Sequence, residues 1–264
     1  ANGLAWGVAL RWLGHQPRWL ALVPLYLSSN LRKYLPGGVW HLLARLQALS
    51  RPEPLVLERS LSTAQALVAV LLDPLLMAVA ALALVPLGGW QGGLALLAPL
   101  PLLLLLPRWL EPLLLRLERQ RARQLAIQGL LLPDADTDAE AVAGPGALPG
   151  YPWGPLLAEL GFVVLRFAGF TCCVQAFDLG YALGWGGWLA GFALAWTAGL
   201  VVPGAPGGLG VFEAVLVLRL GFEVPEAPLL AVAVSYRLIT ALADLIASVT
   251  ARADRRLMLQ RSGL

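Results

Sequence analysis

Two Pro-Gly-Gly breaks interrupt a chain that is otherwise almost continuously apolar: Leu35-Pro36-Gly37-Gly38-Val39 near its start and Ala205-Pro206-Gly207-Gly208-Leu209-Gly210 toward its end. In hydrocarbon every backbone N–H and C=O needs a partner, so such a break survives at membrane depth only where protein or a water-lined space surrounds it. The two stretches therefore restrict the fold to helices that stop short inside the bilayer and leave a polar pathway beside their ends. Discontinuous helices at matching places in two halves are a mark of transporters built from repeats, with half-helix N-termini aimed at anionic groups near the midplane.

The 264 residues are 58% hydrophobic and 13% charged, with mean hydropathy +0.72, and several apolar runs are long enough to cross a bilayer core of about 30 Å. Leu and Ala runs outnumber β-branched ones and no alternating pattern repeats, which excludes an outer-membrane barrel. The expected fold class is an all-α polytopic membrane protein with an inverted-topology repeat and two re-entrant, broken helix pairs. Expected spans are 1–13, 18–35 with 38–51 around the first break, 61–86, 94–110 running on as a charged helix to about 128, 154–177, 185–203 with 207–220 around the second break, and 229–250. The first apolar stretch, Gly3 to Trp12, is too short to span and no Met precedes it, so it is expected to be part of a longer helix.

The organisation follows from these spans. Residues 1–86 form a first repeat unit, 87–132 a connecting membrane helix with a basic cytoplasmic extension, 133–153 an acidic linker rich in Pro and Gly, and 154–264 a second unit with a basic tail. Arg and Lys orient them. Arg32, Lys33, Arg45, Arg51 and Arg59, then Arg108 to Arg123, then Arg252 to Arg261 are basic, whereas 87–93, 178–184 and 221–228 contain neither Lys nor Arg. The positive-inside rule puts the latter outside and the C-terminus in the cytoplasm. The two units then run in opposite directions. Asp73 lies 36 residues after Gly37 and Asp244 lies 37 after Gly207, which supports the repeat.

An ionic side chain at the bilayer centre costs about 2.5–3.5 kcal/mol on insertion scales, so each one needs a partner, a wet niche or a role. Asp73, Arg166, Glu213, Arg237 and Asp244 fall inside expected spans and are the candidate substrate-binding residues. Arg237 and Asp244 are two helical turns apart and share a face. Arg166 and Arg237 offer forked donors to a phosphate or similar headgroup, the alternative being internal pairing with Asp73, Glu213 or Asp244. Glu213 follows the second break, where it can cap the half-helix or face the pathway. Glu159, nearer the cytoplasmic end, ranks below these because it can reach the interface. Pro36, Gly37, Gly38, Pro206, Gly207, Gly208 and Gly210 are expected to line the pathway. Tyr34, Trp40, His41 and most of the ten Trp residues read as interfacial anchors or locally bonded groups.

Other motifs narrow the chemistry. Asp134 to Asp138 imitates the start of a calcium loop, but Ala139 and Pro145 stand where that loop needs its Gly and its bidentate Glu. Cys172 and Cys173 are adjacent in an apolar helix with no further Cys, and read as packing residues. The chain contains no P-loop, nucleophile elbow, metal cluster or dinucleotide fingerprint, which argues against ATP-driven transport or hydrolysis in this chain. No cofactor, metal or nucleic acid is expected.

Lys33-Tyr34-Leu35-Pro36-Gly37-Gly38-Val39-Trp40 followed by Arg45, then Pro203 to Glu213, then Tyr236-Arg237, resemble the motifs of the lysylphosphatidylglycerol synthase transmembrane-region family. The resemblance covers about Leu31 to Ala251. It implies movement of a phospholipid, such as an aminoacylated phosphatidylglycerol, between leaflets of a bacterial inner membrane. It makes Asp73, Glu213 and Arg237 the likeliest counterparts of the polar residues on which such movement depends. No soluble aminoacyl-transferase domain follows Leu264, so this chain is not expected to make the aminoacyl lipid itself. The expected partners are the membrane and a phospholipid with an anionic headgroup, with a homodimer left open. A carrier for a small soluble anion and a non-transporting membrane partner of a lipid- or glycan-modifying enzyme are the competing readings.

Overall fold

The computed structural model describes residues 1–35, 40–50, 56–89, 93–127, 148–202 and 206–261. Pro36, Gly37 and Gly38, the calcium-like stretch and most of the 133–153 linker lie outside the described residues. Those described are mostly helical, and an isolated bridge between Pro17 and Leu57 is their only strand-like pairing. The helices are α1 (Asn2–Trp12), α2 (Trp19–Asn30, ending in a tighter turn over Leu31–Tyr34), α3 (Trp40–Ser50), α4 (Thr63–Leu84) and α5 (Leu94–Leu97). They continue with α6 (Pro107–Ile127), α7 (Trp153–Ala176), α8 (Trp185–Val201), α9 (Val211–Leu220) and α10 (Glu226–Arg261).

The longest apolar run becomes the central helix. Ser62 opens α4 with a reciprocal cap, its hydroxyl accepting from the Gln65 N–H at 3.2 Å while the Gln65 side chain accepts from the Ser62 N–H at 3.2 Å. Two orphan donors of the first turn are thereby satisfied. Thr63–Gly88, Trp153–Ala176 and Glu226–Ala253 are each long and apolar enough to cross a membrane. Within the first, an 18-residue apolar stretch is 78% buried in the protein, against 28% and 22% for the corresponding stretches of the other two. Helix α4 therefore forms the axis, whereas α7 and α10 turn Leu157, Leu165, Leu238, Leu242 and Ile246 outward. Apolar surface of this kind has no cost against acyl chains.

Two hydrophobic cores meet along α4. One gathers Trp6, Leu10, Leu22, Tyr26, Leu46 and Leu49 against its first turns up to Leu71. The other joins Leu72, Leu76 and Ala80 to Phe170, Phe192, Phe212 and Tyr236 of the last four helices. Edge-to-face and tilted ring contacts tie that second core, with Phe170 and Phe192 centroids 5.1 Å apart and Phe192 and Phe212 5.9 Å apart. Asp73 sits at the boundary between the two.

One expectation is corrected here. The span expected as one helix from 94 to about 128 is bent by 83° between Leu94–Leu105 and Pro107–Leu117. Pro107 forces Leu106 into extended backbone (φ −60°, ψ 133°), which an uninterrupted helix cannot contain. Trp6 and Trp188 differ from most of the tryptophans in being fully buried inside the protein. The Trp6 indole N–H donates to the Ala69 carbonyl at 3.0 Å, a bond that satisfies its polar edge inside the protein. Of the cysteines, Cys173 packs in the second core and Cys172 faces outward, and no disulfide joins them.

Candidate functional site

Every candidate side chain returns to one polar seam at the junction of the cores, arranged as three linked groups. The first is built on the second break. Gly207 and Gly208 adopt φ of +60° and +72°, and a Cβ on Gly208 would lie 2.6 Å from the Gly199 carbonyl, so α8 closes on the break only because glycine is there. That backbone aims the Gly207 and Gly208 carbonyls at Arg237, whose two terminal nitrogens donate to them. The Arg237 Nε lies 3.2 Å from Glu213 Oε1, and its guanidinium rests over the Phe212 ring at 5.0 Å. Glu213 Oε2 meanwhile accepts from the Gly210 N–H at 2.8 Å. The two readings of Glu213 combine: it caps the half-helix and neutralises Arg237.

The second group occupies the first core. Asp73 is 2% exposed, and its Oδ2 accepts from the Tyr26 hydroxyl at 2.9 Å and from Arg45 at 3.1 Å. Pro74 follows it and has no N–H for the preceding turn, so the helix is locally short of one backbone bond at this level. Arg45, also 2% exposed, donates from Nε to the Ser29 hydroxyl at 3.1 Å and lies flat over the Tyr26 ring at 3.6 Å. Stacking suits guanidinium because it is more weakly hydrated than ammonium. Glu159 of α7, 1% exposed, turns its carboxyl toward Asp73.

The third group joins the first half of the chain to the second. Asp244 accepts from Lys33 at 2.7 Å, from the Asn30 amide at 2.9 Å and from the Tyr34 hydroxyl at 3.0 Å. Tyr34 also packs where a side chain on Gly207 would stand, 2.9 Å from its ring, so the approach to the first break touches the second.

Arg166 stands apart from this pairing. Its guanidinium lies over the Trp196 ring at 4.8 Å and the Tyr236 ring at 5.4 Å, and its buried Nε has no hydrogen-bond partner. Among the described residues no carboxylate lies within ion-pair distance of it. Its contact with Tyr236, the neighbour of Arg237 in α10, puts it beside the same seam.

The seam also contains residues that the sequence reading placed elsewhere. Arg45 and Lys33 read in the sequence as basic residues that set the orientation, yet one is buried in the core and the other is held by Asp244. Glu159, ranked below the other candidates because it can reach the interface, is buried beside Asp73. Tyr34, read as an interfacial anchor or a locally bonded group, donates to Asp244 across the two halves of the chain. A periodic signal for them exists. Leu42, Arg45, Leu46 and Leu49 share one helical face, as do Leu156, Glu159, Leu160 and Val163, so each charge sits within an apolar stripe. Tyr26, Ser29, Asn30 and Lys33 likewise share one face of an otherwise apolar helix.

The model of the lysylphosphatidylglycerol synthase TM region matches residues 1–248. No curated protein and no solved structure matches the chain.

Proposed function

The chain belongs to the lysylphosphatidylglycerol synthase TM region family, and from that premise we propose that it moves an anionic or aminoacylated phospholipid between the leaflets of a bacterial inner membrane, with its C-terminus in the cytoplasm. The observation that carries the reading is Arg166. Arg237, Lys33 and Arg45 each hold a carboxylate, whereas Arg166 is stacked between aromatic rings with no anionic partner. A guanidinium held in this way offers its forked donors to a phosphate. Arg237 follows Tyr236, the residue whose ring Arg166 touches, so it supplies a second guanidinium to that anion once Glu213 releases it.

The inverted repeat belongs to the same proposal. Pairing α1 with α7, α2 and α3 with α8 and α9, and α4 with α10 makes several packing contacts correspond: α10 lies on α2 as α4 lies on α8, and α3 lies on α4 as α9 lies on α10. Each unit also places one ion pair between its half-helix and its long helix, Arg45 with Asp73 and Glu213 with Arg237. The sign is exchanged between the units.

The test is translocation of a fluorescent anionic phospholipid in proteoliposomes. Arg166→Gln keeps a planar polar group but removes the charge, and is expected to lower the rate at least tenfold. An unchanged rate with correctly folded protein would refute the assignment of the anion to Arg166.

A further inference from the structure

We propose that the carboxyl groups of Asp73 and Glu159 form a proton-binding site, holding one proton between them at membrane depth. Both side chains are almost wholly buried, at 2% and 1% exposure. Asp73 Oδ2 receives Tyr26 and Arg45, but its Oδ1 and both oxygens of Glu159 are buried without any hydrogen-bond donor. The acidic groups face each other, and two ionised carboxylates have nothing to donate. A single shared proton turns that repulsion into a hydrogen bond and leaves one negative charge, which Arg45 balances. Like carboxyls this close cannot both ionise, and the proton then belongs to the pair.

The surroundings support a proton over a metal. Besides each other, the groups facing the pair are Tyr26 from α2 and Arg45 from α3. Of the other helices packed on α7, α10 has Arg237 and Asp244 engaged with Glu213 and Lys33, and α1 has one ionisable side chain, Arg11, in its last turn. A divalent cation takes about six oxygens, whereas three lack partners here, and no group of three or more metal-binding side chains occurs among the described residues.

The site has a consequence for the whole seam. Lys33, Arg45, Arg166 and Arg237 face Asp73, Glu159, Glu213 and Asp244, so the seam is neutral when all are ionised. One proton leaves a surplus positive charge, and Arg166 is the cation without a partner. Proton and anion then favour each other's binding. This consequence rests on the lipid reading, whereas the proton site does not.

Infrared difference spectroscopy of the protein in lipid nanodiscs tests the site directly, without any transport step. At neutral pH the wild type is expected to show the C=O stretch of a protonated carboxylic acid, shifted in deuterium oxide and lost as the pH becomes alkaline. Glu159→Gln is expected to abolish it, and Asp73→Asn to move it. The absence of the band in wild type, its persistence in Glu159→Gln, or its loss on adding sodium at fixed pH would each overturn the proposal. The deuterium shift is read on wild type, so the test holds even if a variant fails to fold.

Discussion

Replacing Arg45 with Met isolates what the buried ion pair contributes. Met keeps most of the apolar stem but removes the guanidinium, its 3.1 Å bond to Asp73, its 3.1 Å bond to Ser29 and its stacking on Tyr26 at 3.6 Å. Asp73 is then left with Tyr26 as its only donor and Glu159 as its neighbour. Stranding one partner of a buried pair costs about 3–5 kcal/mol, and the lost stacking is worth up to about 2 kcal/mol where it is desolvated. Uptake of a second proton by the carboxyls offsets part of this, so the expected destabilisation is about 3–5 kcal/mol. The double variant Arg45→Met with Asp73→Leu removes both charges, and is expected to recover to within about 2 kcal/mol of wild type, since apolar replacement of a buried pair is close to neutral. Reversible unfolding in mixed micelles, followed by tryptophan fluorescence, measures wild type, Arg45→Met, Asp73→Leu and the double variant. A single variant within about 1 kcal/mol of wild type would refute the reasoning, because a buried pair cannot lose one charge so cheaply. So would a double variant as unstable as the sum of the two singles.

Further outcomes follow from the same geometry. Gly208→Ala, at φ +72° with the Gly199 carbonyl 2.6 Å from the new Cβ, should lower thermal stability by roughly 2–4 kcal/mol. Gly210→Ala, at φ +81° with open space around it, should lower it by only about 1–2 kcal/mol, from backbone strain. Asp244→Ala strands Lys33, Asn30 and Tyr34, and should cost about 2–4 kcal/mol and slow lipid translocation in the proteoliposome assay. Burial lowers the pKa of His15 from 6.5. The folded state then resists protonation more than the unfolded chain, so this group's contribution is whole above about pH 6.5 and is lost as the pH falls through the folded value. Comparing melting temperatures of wild type and His15→Gln from neutral to mildly acidic pH should show a steeper fall for wild type.

Helix positions were legible in the sequence because hydrocarbon leaves the backbone so few choices. The apolar runs at 61–86, 154–177 and 185–203 became α4, α7 and α8 nearly end for end. The bend at Leu106 is masked in the sequence because a leucine-rich run surrounds Pro99, Pro101, Pro107 and Pro112 and keeps the segment as apolar as a straight span. The charged residues divided by context. Asp73, Arg166 and Arg237 stood out because each lies deep within a long apolar run. Arg45 and Glu159 did not, since a charge near a helix end reads equally well as a topology signal or an interfacial group. Their burial depends on which helix covers that end, and this is decided by contacts between residues far apart in the chain, such as Asp73 with Arg45.

The tie between Lys33 and Asp244 gives the longest helix a mechanical meaning. Helix α10 runs unbroken from Glu226 to Arg261, and at about 1.5 Å per residue its end lies roughly 25 Å beyond Asp244. It is a rigid lever whose fulcrum is clasped by the opposite half of the molecule. A tilt of a few degrees where Asp244 grips Lys33 is thus magnified at the far tip, where a spin label would register a motion too small to see at the clasp itself.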